Sequence, residues 1–328
     1  MSDTRNELGP LGLDLLSKKL IFVTGKGGVG KSSMTAALAR LSSRAGLKTL
    51  LCEVDSNAGD ASSFLGLETC QFKPKNVLPN LYVMAMNTEE ALAEYLRLNL
   101  KIPLITKLGP LAKAFDFVAN AAPGVKEILI MGKLCYEVRE ENWDIIWVDA
   151  SVSGHIVSQL ASPAGIADLV KIGLVKEQTD WMSEILSDPK RTSLVVVVTP
   201  EETPVLESLE LIERIRSETE ISVTMCVVNK VFAEPFSFDE SRVFEEVYGG
   251  SLRSQFLDAL GESATDLLEI SRLSKSARAS RARHTADLIS GLDRSIATIF
   301  IPFLIGAENG TKLTLEMAEA LVEELSGK

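Results

Sequence analysis

The chain has 328 residues, of which 46% are hydrophobic and 24% are charged. That composition supplies enough apolar side chains for a core and excludes a disordered chain, and the length allows one large α/β domain or two modest ones. The formal net charge of −11 argues against nucleic acids and anionic membrane surfaces as main partners, because proteins that bind them usually carry a basic face.

The sequence also bears on the compartment. It contains no apolar run of about 18 residues, which predicts no stable membrane insertion. Its first residues lack the basic start and the apolar stretch of a secretory signal. The four cysteines are widely spaced and form no C-x-x-C pair, which is typical of a reducing environment. We therefore expect a cytoplasmic protein.

Apolar, β-rich runs alternate with longer helical patterns along the chain. Some of these runs, such as residues 195–198, are apolar throughout, which is typical of strands buried on both faces of a parallel sheet. We therefore expect an α/β fold with a mostly parallel central sheet flanked by helices. The predicted strands, in chain order, are 20–24, 49–54, 81–86, 144–149, 194–199, 223–229 and 296–302.

Two stretches between these strands are too long for simple crossovers. Residues 88–142 and 158–192 have helical patterns, and the first is interrupted by prolines. We expect both to be helical insertions into the sheet domain. The domain organisation predicted is an N-terminal extension over 1–18 followed by a single domain over 19–328.

Residues 25–32 carry the strongest motif of the chain. They read GKGGVGKS and match G-x-x-x-x-G-K-[ST], between a predicted strand and a predicted helix. This context favours a phosphate-binding P-loop over a plain glycine-rich turn, because glycines let successive N–H groups face phosphate oxygens. The motif predicts that Lys31 reaches the β- and γ-phosphates and that the Ser32 hydroxyl binds Mg²⁺. The predicted nucleotide contacts are Gly27, Gly28, Val29, Gly30, Lys31, Ser32 and Ser33.

A second lysine, Lys26, makes the loop resemble the deviant Walker A loop of the MinD, ParA, ArsA and nitrogenase iron protein class. In that class the corresponding lysine crosses a dimer interface to the partner's nucleotide and neutralises charge that develops there. The resemblance implies a catalytic role for Lys26; the alternative is a solvated loop lysine.

Asp149 ends a predicted strand, where a carboxylate can hold Mg²⁺ through water, although a strand-end aspartate alone is a weak signal. Four segments resemble elements of the ArsA family, which includes arsenite-pump ATPases and ATPases that deliver tail-anchored membrane proteins. Residues 149–155 resemble its switch II motif, D-T-A-P-T-G-H. The other segments are PGVKE at 123–127, TPEE at 199–202 with Glu207 further on, and VVNK at 227–230.

The resemblance implies a P-loop ATPase that binds ATP or ADP with Mg²⁺, held by Ser32 and Asp149. It places Asn229, Lys230 and Pro302 around the adenine, although Asn229 could also be a plain turn residue. It gives Asp55 the role of orienting the attacking water, the alternative being a helix N-cap.

Both switch segments depart from the family pattern. The family has D-P-A-H-x-L where this chain has DSNAGD at 55–60, and switch II has Ser151 and Val152 in place of Ala-Pro. These departures leave open an alternative, a nucleotide-dependent regulatory module with little turnover that acts with a paralogous ATPase. An arsenite-efflux subunit is a weaker third reading, because the scattered cysteines match no metalloid site.

The partners expected are protein chains. Because the sequence has one P-loop and Lys26 would act in trans, we expect a homodimer or a heterodimer with a paralogue. The helical insertions could hold a protein client, although their apolar residues could equally be the buried faces of packed helices.

Overall fold

The computed structural model describes residues 3–54, 61–100, 124–151, 153–169, 172–234, 236–261, 263–305 and 310–326. Within them, eight strands form one sheet with the order β3-β4-β2-β5-β1-β6-β7-β8. All neighbouring strands are parallel except β3 and β4, which are antiparallel. The strands are β1 Leu20–Gly25, β2 Thr49–Glu53, β3 Lys75–Leu78, β4 Leu81–Ala85, β5 Ile145–Asp149, β6 Thr192–Val198, β7 Val223–Val231 and β8 Ala297–Pro302.

The helices lie on both faces of this sheet. A short 3₁₀ turn covers Ser63–Leu65. The α-helices of the described residues are α1 Asp3–Glu7, α2 Pro10–Ser17, α3 Lys31–Arg44, α4 Thr88–Leu100, α5 Val125–Arg139, α6 Ser153–Leu169, α7 Leu174–Ser187, α8 Glu202–Glu218, α9 Phe238–Tyr248, α10 Arg253–Leu260, α11 Ala264–Gly291 and α12 Gly310–Leu325.

The expected α/β fold is confirmed, and all seven predicted strands are present. The sequence did not predict β3, an edge strand of four residues whose first two are exposed. So short and polar a segment has no apolar run to mark it. The predicted insertions are helical where they are described: α4 and α5 lie in the first, α6 and α7 in the second. Residues 101–123 of the first lie outside the described residues. Helix α6 begins at Ser153, five residues before the predicted start.

Alternate side chains of each central strand point to opposite faces of the sheet, where two cores form. Leu20 and Phe22 of β1 belong to the core under α5 to α8. Ile21 and Val23 belong to the core under α3 and α12. Continuous apolar strands are therefore explained by burial on both faces.

The described part of the N-terminal extension packs against the sheet domain. Leu8, Leu15 and Leu16 are buried in the core shared with α3 and α12. The backbone N–H of Gly9 donates to the carbonyl oxygen of Leu325 at 2.9 Å. Leu8 and helix α2 are thus held by the same apolar core that holds α12. No helix of the described residues has the length and apolar character needed to cross a membrane.

Three of the four cysteines are buried and one is partly exposed. Burial raises the pKa of the Cys226 thiol to about 12 and raises those of Cys52 and Cys135 well above the ordinary range. Because the thiolate is the reactive form, a raised pKa leaves these thiols protonated at pH 8.

We expect a maleimide to label Cys70 rapidly in the native protein at pH 8 and the other three thiols only after unfolding. Mass spectrometry of the labelled peptides measures this. Rapid labelling of Cys52 would contradict the burial of β2.

Candidate functional site

The predicted site residues that are described converge at the carboxyl edge of the sheet. The ends of β1, β5, β6, β7 and β8 lie side by side there, because these strands are parallel neighbours. Loops at this edge of an open α/β sheet form its usual ligand crevice. Strand β1 lies between β5 and β6, so the loop that follows it occupies the middle of the edge.

The loop between β1 and α3 has the backbone of a phosphate cradle. A Cβ on Gly25 would lie 2.2 Å from the carbonyl oxygen of Val197 on β6, so only glycine allows this close approach. Helix α3 begins directly after Gly30, and its unpaired N–H groups and dipole suit an anion. A Cβ on Gly27 or Gly28 would meet no atom of the described residues within 4 Å, so this part of the chain leaves open space beside the loop.

Gly30 provides a test of this geometry. Its φ is +91°, and a Cβ there would lie 2.4 Å from Nδ2 of Asn229. We expect Gly30→Ala to lower the free energy of unfolding by about 2–3 kcal/mol. The loss comes from left-handed backbone strain and from displacement of the Asn229 side chain, whose Nδ2 donates to the carbonyl oxygen of Val29. Gly27→Ala is the matched control and should change it by less than about 0.5 kcal/mol. Urea unfolding without nucleotide measures both, and equal stabilities would refute the close packing.

Lys31 and Asp149 form an ion pair at the base of the loop. The Lys31 Nζ lies 2.9 Å from Oδ1 of Asp149, and the Asp149 side chain is only 5% exposed. Thr35, one turn along α3, donates its hydroxyl to the carbonyl oxygen of Lys31 at 2.8 Å and lies 3.4 Å from the same carboxylate oxygen. The structure therefore brings together the predicted phosphate lysine and the predicted Mg²⁺ carboxylate.

Lys26 contacts a carboxylate of its own chain. Its Nζ lies 2.6 Å from Oε1 of Glu207 on α8. In the sequence, Glu207 stands out only through the family resemblance of its segment, which indicates no partner for it. The 181 positions between the two residues explain why spacing could not pair them.

Asn229 and Lys230, at the end of β7, contact the phosphate loop directly. Asn229 is buried, and its Nδ2 donates to the carbonyl oxygen of Val29 at 2.8 Å. The Nζ of Lys230 donates to the carbonyl oxygen of Gly28 at 3.0 Å. In this conformation both residues support the loop. An amide such as that of Asn229 has two N–H groups, so one bond to Val29 still permits another contact.

A cluster around Arg281 of α11 lies beside these residues, and Arg281 and Phe232 were not predicted as part of the site. The Arg281 guanidinium lies 3.7 Å from the ring centroid of Phe232 and 3.1 Å from Oε1 of Glu201. Phe232 meets Phe303 edge to face at 5.4 Å. Pro302, the last residue of β8, is exposed next to this cluster in the chain. No local motif marks Arg281 as a site residue, because Glu201 is 80 positions away in the chain.

The donor set around Asp149 fits Mg²⁺. A carboxylate and the hydroxyl of Ser32, the second residue of α3, are hard oxygen ligands of the kind that Mg²⁺ prefers. Ser33 differs from Ser32, because its hydroxyl donates to the carbonyl oxygen of Gly30 at 2.9 Å and the residue is buried. Ser33 thus stabilises the loop, and Ser32 remains the predicted ligand.

Of the two switch segments, switch I at residues 55–60 lies wholly outside the described residues, and switch II is described in part. Asp55, the predicted water-orienting residue, and Val152 of switch II lie outside the described residues. Ser151 is buried; its carbonyl oxygen accepts from Thr24 at 3.0 Å and its hydroxyl accepts from Gln159 at 2.9 Å. The start of switch II is therefore fastened to both β1 and α6.

A strand–loop–helix with this cradle at the centre of a parallel sheet defines a P-loop nucleotide-binding fold. The family model described as anion-transporting ATPase matches residues 18–180 and 168–262. The chain belongs to this family of ATPases.

Curated relatives of similar sequence are also named as ATPases. The chain is 31% identical to a protein named ATPase BagA from Mycobacterium tuberculosis over 222 residues, which are 65% of each chain. It is 24% identical to a putative arsenical pump-driving ATPase from Halobacterium salinarum over 264 residues, 73% of this chain and 40% of that protein. It is 25% identical to an ATPase ASNA1 homolog from Cryptosporidium parvum over 249 residues, 66% of each chain.

Proposed function

We propose that this chain is a Mg²⁺-dependent ATPase that works as a dimer and uses its cycle to bind and release a protein client or partner. The observation that carries the proposal is the loop itself. Two lysines, Lys26 and Lys31, project from a glycine cradle with open space beside Gly27 and Gly28. Membership of an ATPase family supports the same reading.

The chemistry follows from the charges at the loop. The N–H groups of the cradle and the ammonium of Lys31 would offset the negative charge of the β- and γ-phosphates. Mg²⁺, when held by Ser32 and Asp149, would neutralise phosphate charge and orient the phosphate oxygens. Asp55 would hold the attacking water in line with the γ-phosphate. Asn229, Lys230 and Pro302 would contact the adenine.

Lys26 is the residue that makes a dimer part of the proposal. In the chain as described it binds Glu207, not Asp149 or the cradle. We propose that in the active dimer it reaches the nucleotide of the other subunit and stabilises charge that develops during hydrolysis. The partner subunit would be a second copy of this chain or a paralogue.

A cavity among α4 to α7 supports a client-binding role. Its volume is about 470 Å³, enough for a small ligand or a few side chains. Its floor includes Lys133, whose charge is opposed by burial but stabilised by hydrogen bonds to Glu137 and Glu94, which together raise the pKa of the ammonium. Apolar side chains form much of the wall, among them Leu92, Ile128, Leu129, Trp181 and Met182.

A second candidate is a nucleotide-dependent regulatory module with little turnover that acts with a paralogous ATPase. The hydrogen bonds that fasten Ser151 to β1 and α6 favour it, because a fixed switch II would respond weakly to nucleotide. An arsenite-efflux subunit is a weaker third candidate, since Cys52, Cys135 and Cys226 lie buried in three different elements.

Steady-state phosphate release from the purified chain alone separates these candidates. The ATPase proposal predicts Mg²⁺-dependent release that rises more than linearly with protein concentration, because dimers carry the activity. Negligible release at every concentration would favour the regulatory module. Stimulation by arsenite or antimonite would favour the efflux role.

A further inference from the structure

The contact between Lys26 and Glu207 links the phosphate loop to α8. The two side chains are 33% and 39% exposed, and the atoms that pair are 2.6 Å apart. The backbone of α8 is anchored on both sides of Glu207, by buried Val205, Ser208 and Leu211. The lysine belongs to a loop and the carboxylate to a packed helix, so Glu207 restrains Lys26.

Each of the two loop lysines is thus neutralised within its own chain. Lys31 pairs with Asp149, which the proposed function also assigns to Mg²⁺. Lys26 pairs with Glu207, which has no role in the proposed chemistry. A lysine that must act on the nucleotide of another subunit has to leave this carboxylate first.

We propose that Glu207 is a positioning residue that holds Lys26 in its own chain until the partner's triphosphate competes for the ammonium. This inference rests on the proposed function, in which Lys26 acts in trans. Glu207 then sets the protein concentration at which the active dimer forms. The ion pair raises the protein concentration needed for the active dimer but does not prevent the dimer from forming, because ion pairs this exposed are weak in water.

The first test measures phosphate release with Mg-ATP across protein concentrations for the wild type, Glu207→Gln and Glu213→Gln. Glu213 is exposed on the same helix, so its substitution matches the change in charge. We expect Glu207→Gln to reach half-maximal specific activity at about a two- to fivefold lower protein concentration than the other two. An unchanged midpoint, or a shift to higher concentration, would overturn the proposal, the latter by indicating that Glu207 binds the partner subunit.

The second test asks whether the effect acts through Lys26. Light scattering with Mg-ATP compares Lys26→Ala with the double variant Lys26→Ala/Glu207→Gln. We expect both variants to assemble at the same protein concentration, because neither has the Lys26 ammonium that Glu207 would bind. A shift that persists without Lys26 would assign Glu207 a merely structural role.

A third measurement separates failure of this inference from failure of the proposed function. Acylation of the Lys26 amine, followed by mass spectrometry of the nucleotide-free protein, needs neither ATP turnover nor a dimer. We expect labelling about two- to fivefold faster in Glu207→Gln than in Glu213→Gln. Equal labelling rates would refute the restraint even in an active ATPase. Faster labelling in Glu207→Gln, together with no phosphate release from the wild type, would support the Lys26–Glu207 contact and refute the proposed function.

Discussion

Replacing Lys31 by alanine is expected to lower phosphate release by a factor of about 1,000 or more, because it removes the charge that faces the β- and γ-phosphates. The same change leaves the buried carboxylate of Asp149 without its partner at 2.9 Å. We therefore also expect the free energy of unfolding to fall by about 2–3 kcal/mol. Phosphate release and urea unfolding measure the two effects separately.

A double variant separates catalysis from folding. In Lys31→Ala/Asp149→Asn no buried charge is left unpaired, so stability should recover in large part. Phosphate release should stay lost, because the phosphate lysine and the proposed Mg²⁺ carboxylate are both absent. Lys190→Ala, at an exposed position between α7 and β6, is the control and should change neither quantity. Turnover that returned together with stability would remove both Lys31 and Asp149 from the proposed chemistry and leave their ion pair a structural role.

Replacing Asp55 by asparagine is expected to slow hydrolysis by a factor of about 100 or more while ATP binding is retained. The substitution keeps the size of the side chain but removes the carboxylate that would orient the attacking water. Single-turnover hydrolysis and binding of a fluorescent ATP analogue measure the two steps. Asp60→Asn, in the same short segment, is the control for the change in charge.

Unchanged hydrolysis in Asp55→Asn would remove Asp55 from the mechanism. If the variant does bind ATP without turnover, it also provides a trap for the client. Partners retained by Asp55→Asn with ATP but released with ADP would be candidates for the client whose binding the cycle controls.

The residues that the sequence could predict are those whose role is local. The glycine–lysine pattern of residues 25–32 identifies the phosphate loop because strand, cradle and helix N-terminus are consecutive in the chain. The buried strands were predictable for a similar reason, since an uninterrupted apolar run such as 195–198 has few other uses. Edge strand β3 was missed because its four residues carry no such run.

The contacts that the sequence could not predict join residues that are far apart in the chain. Lys26 and Glu207 are 181 positions apart, and Asn229 and Val29 are 200 apart. Only the order of strands β5-β1-β6-β7 brings the ends that carry them together. The sequence gives the chemistry of each side chain, and the sheet topology decides which of them meet.

Under the proposed function, Lys31 of one subunit and Lys26 of the other complete one ATP site. Mixing Lys26→Ala with Lys31→Ala tests it, because each mixed dimer then has one site with both lysines intact. Phosphate release from the equimolar mixture should reach about a quarter of the wild-type rate, since half of the dimers are mixed and each has one of two sites restored. A mixture no more active than either variant alone would contradict a shared ATP site. It would indicate that each lysine acts only on the nucleotide of its own chain.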